Sequence, residues 1–145
     1  MNSQKLNSAS PAVEAAEPIL KQWIAAVQAL DPAAASDLYA ESGGDMAFWG
    51  TFGSHCRTTR DQAHDYFVRF LDLASLTCAI REIHWRAFGD GAALATGWYE
   101  FTLAGKGGAE RRQAQARFTF GFARQGDGGW KIVEHHSSLF PEGGY

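Results

Sequence analysis

Four long strand-like segments fill the second half of the sequence, and they constrain the fold more than any other feature. Glycine-rich turns separate these segments, which span residues 76–88, 92–103, 111–124 and 130–140. Neighbouring strands joined by short turns pair antiparallel, so this order predicts a meander. Each segment is about twice the usual strand length of 5–6 residues. Gly97 and Gly121 lie inside two of the segments, which is typical of bulges and bends, so we expect a curved, strongly twisted sheet.

Helices are predicted for the first half of the chain. Ser10, Asp31 and Thr59 are suitable N-cap residues, and each precedes a run with apolar residues at helical spacing. Helices followed by a meander indicate an α+β fold, with a curved antiparallel sheet wrapped around three N-terminal helices. Such a sheet forms a cone, and the open end of a cone can hold a small ligand. Residues 1–10 are predicted to be a disordered tail, and residues 11–145 a single domain.

Composition argues against several classes of protein. The 145 residues carry a formal charge of -3, whereas nucleic-acid binding needs a concentrated positive surface. The chain contains no apolar run that approaches the ~20 residues needed to cross a bilayer, and no signal peptide, so we expect a cytoplasmic protein without membrane contact. Cys56 and Cys78 match no metal-binding spacing and are expected to be free thiols. No motif indicates a metal or another cofactor.

Aromatic residues on the strands predict that both faces of the sheet are covered. Phe118, Phe120 and Phe122 alternate with polar or small residues, so this row meets either the helices or another subunit. On the two preceding strands, neither face is uniformly polar, because large aromatic residues such as Trp98 and Tyr99 lie at successive positions. A half-buried antiparallel sheet would have a polar outer face. The pattern therefore predicts a homodimer that forms through the outer face of the sheet.

The densest polar cluster in an apolar setting lies inside the last strand, at residues 134–138 (EHHSS). Strand alternation sends His135 and Ser137 to one face and His136 to the other, so the two adjacent histidines do not readily bind one metal. Each histidine can be a satisfied core or interface residue, or one can face the cavity and exchange a proton with a ligand. Both interpretations stay open, and His64 on the third helix is the other candidate acid or base.

Arg117 is a further polar candidate, because it lies in the middle of an apolar strand (QARFTFGF). A buried arginine is costly unless it is paired. Its partner could be Glu100 or Glu134 in a structural ion pair, or an anionic ligand whose carboxylate takes two parallel hydrogen bonds from the guanidinium. The hypothesis of a small ligand depends on the guanidinium of Arg117 pointing into the cone.

The order of the elements and the end of the chain resemble the NTF2-like superfamily, and within it the association domain of calcium/calmodulin-dependent protein kinase II. The resemblance covers residues 13–142. Its specific parts are the arginine strand (QARFTF), a glycine turn followed by Trp130, and the ending WKIVEHHSS. The resemblance implies a curved sheet wrapped by helices, a deep pocket, and oligomers that form through the sheet.

The resemblance also implies a pocket in which three arginines and a histidine attract carboxylates. Arg117 falls at one of the arginine positions, and His64 falls near the position of the helical histidine. Trp98 and Ser137 fall at the other two arginine positions, so the resemblance implies a less cationic and more aromatic pocket in this chain. It also implies that His135, rather than its neighbour, lies on the pocket side.

Three functions stay open on this basis. The first is a small-molecule binding protein, or an uncharacterised enzyme, whose conical pocket takes a mono-carboxylate or a flat aromatic molecule. Its lining residues would be His64, Tyr66, Trp98, Arg117, His135 and Ser137. The second is an oligomerisation module without catalysis. The third is an acid/base isomerase or cyclase, as in the ketosteroid isomerases and SnoaL-like cyclases of the same superfamily, with His135 or His64 as the base.

Overall fold

Two helices, a short strand and a third helix precede four long strands, and the three helices and four long strands agree with the sequence prediction. The computed structural model describes residues 10–41, 45–108 and 110–145, so residues 1–9 of the predicted tail lie outside the described residues. The helices are α1 (Pro11–Gln28), α2 (Pro32–Ser36) and α3 (Arg60–Phe70). The strands are β1 (Ala47–Trp49), β2 (Ser75–Phe88), β3 (Ala92–Ala104), β4 (Arg111–Arg124) and β5 (Trp130–Leu139), with a short 3-10 turn (Lys106–Gly108) before β4.

Side-chain caps begin the three helices at the predicted residues. Ser10, Asp31 and Thr59 each accept a hydrogen bond from the backbone N–H three residues further on, at 3.4, 3.0 and 3.2 Å. At α3, the side-chain oxygen of Gln62 also accepts a hydrogen bond from the N–H of Thr58 at 2.8 Å. These bonds satisfy first-turn donors that have no partner within a helix, so the local sequence sets where each helix begins.

The five strands form one open, curved sheet in the order β1-β5-β4-β3-β2. Strands β2 to β5 pair antiparallel, as a meander requires, and β1 adds in parallel to β5, with Phe48 opposite His135. A register shift between Ile80 and Glu82 makes a bulge in β2 opposite Trp98 and Tyr99 of β3, and Gly97 pairs with Ile83 immediately beyond it. A Cβ atom at Gly97 would lie 1.9 Å from the carbonyl oxygen of Glu82, so this close approach requires glycine.

A second register shift, between Gly121 and Phe122 of β4, changes which residues of β5 face inward. Phe122 pairs with Ile132, and Val133 is left without a partner in the ladder. Simple alternation would place Ile132 and His135 on opposite faces of the sheet. The bulge instead turns both side chains inward, where both are buried.

Helices α1 and α3 pack on the concave face of the sheet. Phe118, Phe120 and Phe122 are all buried on this face, so their row meets the helices and not a second subunit. Trp23 of α1 packs edge-on against Phe120, with 5.3 Å between ring centroids, and against Phe67 of α3 at 6.4 Å. Burying each of these side chains contributes about 1.5–3 kcal/mol, so this aromatic cluster is a main source of stability.

Candidate functional site

Aromatic side chains fill the interior of the cone around His135. This residue is 1% exposed, and its imidazole lies between the rings of Phe48 and Phe120, with centroid separations of 4.9 and 3.8 Å. Trp23 meets the same imidazole edge-on at 5.4 Å. His136, in contrast, is exposed on the convex face of the sheet. The interior position is therefore a packed core rather than an open pocket.

Tyrosine hydroxyls occupy both ring nitrogens of His135. Tyr39 Oη lies 2.7 Å from Nδ1, and Tyr99 Oη lies 3.2 Å from Nε2. Trp23 Nε1 donates to Tyr39 Oη at 3.0 Å, and Tyr99 donates to Ser137 Oγ at 2.7 Å. Because the Tyr39 oxygen already accepts the indole proton, it uses its own proton toward Nδ1, and Nε2–H donates to Tyr99. In the neutral Nε2–H tautomer, each hydrogen bond among Trp23, Tyr39, His135, Tyr99 and Ser137 therefore has one donor and one acceptor.

The same series of hydrogen bonds continues toward the end of the cone. Ser137 is hydrogen-bonded to Thr51, which lies one residue before Phe52, and the N–H of Phe52 is hydrogen-bonded to the hydroxyl of Tyr66 at 3.3 Å. Hydrogen-bonded side chains therefore run from His135 to Thr51, and the backbone after Thr51 holds the hydroxyl of Tyr66.

Burial decides the protonation state of His135. Desolvation lowers the pKa of His135 well below its ordinary value, and the charge of His136 acts in the same direction. At neutral pH the ring is uncharged, and both of its nitrogens are engaged. It offers a ligand neither a free lone pair nor an accessible proton. This environment is that of a structural histidine and not of a general base.

A cleft of about 260 Å³ lies at the end of the sheet where β3 ends and β4 begins. At about 30 Å³ per water, this is the space of about nine waters, which suits a small organic molecule. Aromatic and aliphatic residues form one part of the wall, and three arginines form another. The lining residues are Phe52, Gly53, Ser54, Arg57, Tyr66, Arg69, Phe70, Leu73, Leu103 and Arg112. We refer to this space as the arginine cleft.

Arg57 is the buried cation of the arginine cleft. Its backbone forms an antiparallel bridge with Phe48, with N–H to oxygen distances of 2.8 and 2.9 Å. Its guanidinium carbon lies 5.2 Å from the ring centroid of Tyr66. Arg57 is 8% exposed, and its Nη1 atom has no hydrogen-bond partner in the described part of the chain. Gly53 makes room for this group, because a Cβ there would lie 3.0 Å from Nη1.

Arg69 and Arg112 bring two more positive charges to the wall, and both are exposed. Within residues 10–41, 45–108 and 110–145, the four ion pairs involve other cations, so no carboxylate neutralises these three arginines. Burial raises the pKa of Tyr66 to about 12, because it outweighs the hydrogen bond from Phe52 and the charge of Arg57. The arginine cleft is therefore cationic, with a protonated phenol beside its buried guanidinium.

Arg117 and Trp98 lie outside this cleft. They are paired across β4 and β3 and share the convex face of the sheet, where Arg117 is exposed. The guanidinium carbon of Arg117 lies 5.7 Å from the ring centroid of Phe140, and Trp98 packs edge-on against the same ring at 5.6 Å. The prediction that Arg117 points into the cone is wrong. The reason is strand alternation: Phe118 points inward, so Arg117 points outward.

The structure does not bring the six predicted ligand-binding residues together. All six lie in the described part of the chain, and of these only Tyr66 lines the arginine cleft. His135 and Ser137 lie behind it in the buried polar chain, and His64 is half-buried on α3, outside the wall of the cleft. If the cleft binds a small ligand, residues other than Arg117 therefore make the contacts.

Sequence reasoning missed Arg57, Arg69 and Arg112. A signal for Arg112 was present, because it lies an even number of residues before Phe118 on β4 and therefore shares the inward face. Arg69 follows Tyr66 by three residues on α3, a spacing that places two side chains on one side of a helix. Arg57 lies in a loop without periodicity, so its burial depends on contacts between distant segments.

Comparison with known proteins identifies the family. The family model of the calcium/calmodulin dependent protein kinase II association domain matches residues 14–141. The chain belongs to this association-domain family. A solved structure from Xanthomonas campestris that carries the name of the same domain is 35% identical. The match covers 85% of this chain and 84% of that chain, with a TM-score of 0.76.

Two other solved structures share the wider fold of this association-domain protein. An NTF2-like superfamily protein from Salmonella enterica is 17% identical, with 94% of this chain and 96% of that chain covered and a TM-score of 0.78. A ketosteroid isomerase-like protein from Erwinia carotovora is 14% identical, with 89% and 96% covered and a TM-score of 0.73. The protein thus has the same fold as these two structures. No protein of curated function matches it.

Among the described residues, no group of three His, Cys, Asp or Glu side chains could hold a metal ion. Cys56 and Cys78 are both free thiols. None of the described helices combines the length and the apolar character needed to cross a membrane. The polar chemistry of the arginine cleft is accordingly that of its own arginine, tyrosine and serine side chains.

Proposed function

We propose that this protein binds a small molecule with one carboxylate in the arginine cleft. The observation that carries the proposal is the buried Nη1 of Arg57, which lines the cleft without a partner among the described residues. A buried charged donor that lacks a partner is costly, more so than an ordinary lost hydrogen bond. A carboxylate would accept two parallel N–H bonds from the guanidinium and remove that cost.

The arrangement favours a single negative charge on an aromatic or apolar body. Arg57 offers one buried guanidinium, whereas Arg69 and Arg112 are exposed and act through attraction that solvent and salt screen. Phe52 and Phe70, with 5.5 Å between their ring centroids, supply an aromatic wall. Benzoate, with nine heavy atoms, has about the size that the cleft accommodates.

Binding, rather than acid–base catalysis, is the activity that these groups favour. An isomerase or cyclase needs a base within hydrogen-bond reach of its substrate. Among the described residues that line the arginine cleft there is no histidine and no carboxylate. Tyr66, whose pKa burial raises to about 12, keeps its proton at neutral pH.

Isothermal titration calorimetry with benzoate tests this proposal. Arg57→Gln should weaken binding about 10- to 100-fold, because hydrogen bonds to a charged group contribute about 1.5–3 kcal/mol. Arg117→Gln removes a guanidinium from the convex face and is the matched control, so it should bind benzoate like the wild type. No measurable binding by the wild type, or equal affinities for all three proteins, would contradict the proposal.

The stability of Arg57→Gln separates a binding role from a structural one. Without ligand, the substitution loses the contact with the Tyr66 ring but also removes an unpartnered buried charge. We therefore expect its free energy of unfolding to stay within about 1 kcal/mol of the wild-type value. A loss of several kcal/mol in urea denaturation would instead mean that the guanidinium stabilises the fold.

Association of two copies through the convex face of the sheet is a second proposal with its own support. Trp49 and Phe140 are both 43% exposed there, and Trp98 is half-buried. Large exposed aromatic residues on one face are typical of protein interfaces. Trp98→Glu should convert a dimer into a monomer in sedimentation velocity, whereas Phe88→Glu, at the far end of β2, should not. A wild-type protein that sediments as a monomer at every concentration would refute the association.

A further inference from the structure

A groove runs from the arginine cleft along an open edge of β4. Strand β5 pairs with β4 as far as Leu139, which lies opposite Ala116, and Phe140 then donates its N–H to the oxygen of Gln115 at 3.3 Å. Residues 111–114 of β4 are paired with β3 on their other side. Toward β5, no strand in the described part of the chain covers residues 111–114. This stretch forms one side of the groove.

The groove has an apolar wall and meets the cleft at two side chains. It measures about 660 Å³, and its large apolar lining residues are Phe52, Leu139 and Phe140, which are 44%, 47% and 43% exposed. Its other lining residues are Ala114 and the polar Arg112, Gln113, Gln115 and Glu142. Phe52 and Arg112 line both the groove and the arginine cleft. Single exposed apolar side chains are common on protein surfaces, but a cluster of them often marks a binding site, and here the cluster lies beside a cationic cleft. A ligand with a charged head and an apolar tail would use both features.

We propose that the ligand of the arginine cleft is a mono-anionic amphiphile whose uncharged, apolar tail lies in this groove. The inference rests on the proposed function and adds the class of ligand to it. The positive charges of Arg57, Arg69 and Arg112 line the arginine cleft, where the charged head group of the ligand would bind. Glu142 lines the groove, so a second carboxylate on the tail would be repelled. A straight-chain monocarboxylate has the chemistry that this distribution of charge selects.

Calorimetry with acetate, butanoate, hexanoate, octanoate and decanoate tests the position of the tail. Each methylene that the groove buries should tighten binding about fourfold, which corresponds to about 0.8 kcal/mol. The gain should stop at the chain length that fills the groove. Octanol, which has the same tail without the charge, should bind far more weakly than octanoate, because it offers the guanidinium of Arg57 no carboxylate.

Two variants test whether the groove causes the gain in affinity with chain length. Leu139→Ala removes apolar wall from the groove and should lower the ratio of octanoate to acetate affinity several-fold. Phe88→Ala removes an apolar side chain that is 53% exposed, against 47% for Leu139, at the far end of β2, and it should keep the wild-type ratio. An unchanged ratio in Leu139→Ala would overturn the inference.

Failure of the inference and failure of the proposed function give different results. If benzoate binds through Arg57 but alkanoate affinity does not rise with chain length, the tail does not use the groove, and only the inference is overturned. If neither benzoate nor any alkanoate binds, the proposed function is wrong and the inference falls with it.

Discussion

A buried neutral histidine makes folding sensitive to mild acid, and His135 should have this effect here. In the unfolded chain its imidazole takes up a proton at the ordinary pKa of about 6.5, whereas burial holds the native pKa well below that value. Below pH 6.5 the unfolded state therefore binds more protons than the native state. The contribution of His135 to stability is complete above this pH and is lost as the pH falls toward the native pKa.

The size of the effect follows from the linkage between protons and folding. The loss grows by about 1.4 kcal/mol for each pH unit below 6.5 until the native pKa is reached, which is tenfold in the folding equilibrium. The contacts explain why the native ring resists the proton. Nδ1 accepts from the hydroxyl of Tyr39, and that hydroxyl already accepts from Trp23. If Nδ1 were protonated, its N–H and the O–H of Tyr39 would both be donors and would point at each other. This would occur between the rings of Phe48 and Phe120, where water cannot compensate.

The free energy of unfolding can be measured by urea denaturation, followed by tryptophan fluorescence, at pH 7.5, 6.5 and 5.5. His135→Phe loses hydrogen bonds and should be less stable than the wild type at each pH, but it has no imidazole to protonate. The stability difference between the two proteins should therefore shrink by about 1.4 kcal/mol from pH 7.5 to pH 5.5. His136→Phe, on the convex face, leaves the burial of His135 in place and should keep most of the pH dependence of the wild type, because burial is the larger cause of the lowered pKa of His135. A difference that stays constant over this range would refute the reasoning.

Two further predictions concern the backbone. Gly97→Ala would place a Cβ 1.9 Å from the carbonyl oxygen of Glu82 and should lower the free energy of unfolding by about 1–3 kcal/mol in the same assay. Gly126→Ala, which meets open space, should stay within about 0.5 kcal/mol, and equal effects of the two substitutions would contradict the close approach. Asp31→Ala removes the cap on the N–H of Ala34 and should cost about 1 kcal/mol, whereas an unchanged urea midpoint would show that this cap adds no stability.

Much of the fold was predictable because its signals are local. Capping residues such as Asp31 and Thr59 satisfy N–H groups only three residues away, and glycine turns delimit the long strands. The bulges at Ile80–Glu82 and at Val133 were not predictable in the same way, because each is defined by the register of the neighbouring strand. Gly97 did indicate a bend, and it pairs with Ile83, immediately beyond the bulge in β2.

The site was harder to predict because it depends on contacts between distant segments. Arg117 is prominent in the sequence as a charge among phenylalanines, but the same alternation that buries Phe118 turns Arg117 outward. Arg112 obeys that alternation and points inward, yet it lies at the end of a strand beside other polar residues and does not stand out. Arg57 is buried only because the loop after β1 pairs back onto Phe48, a contact that no periodic pattern encodes.

A crystal structure of the protein grown with benzoate is the most direct test of the central claim, which is that the arginine cleft binds a carboxylate. We expect the carboxylate oxygens within hydrogen-bond distance of the guanidinium of Arg57, with the ring against Phe52 and Phe70. Benzoate bound instead beside Arg117 on the convex face, or an arginine cleft without benzoate at saturating concentration, would contradict the account.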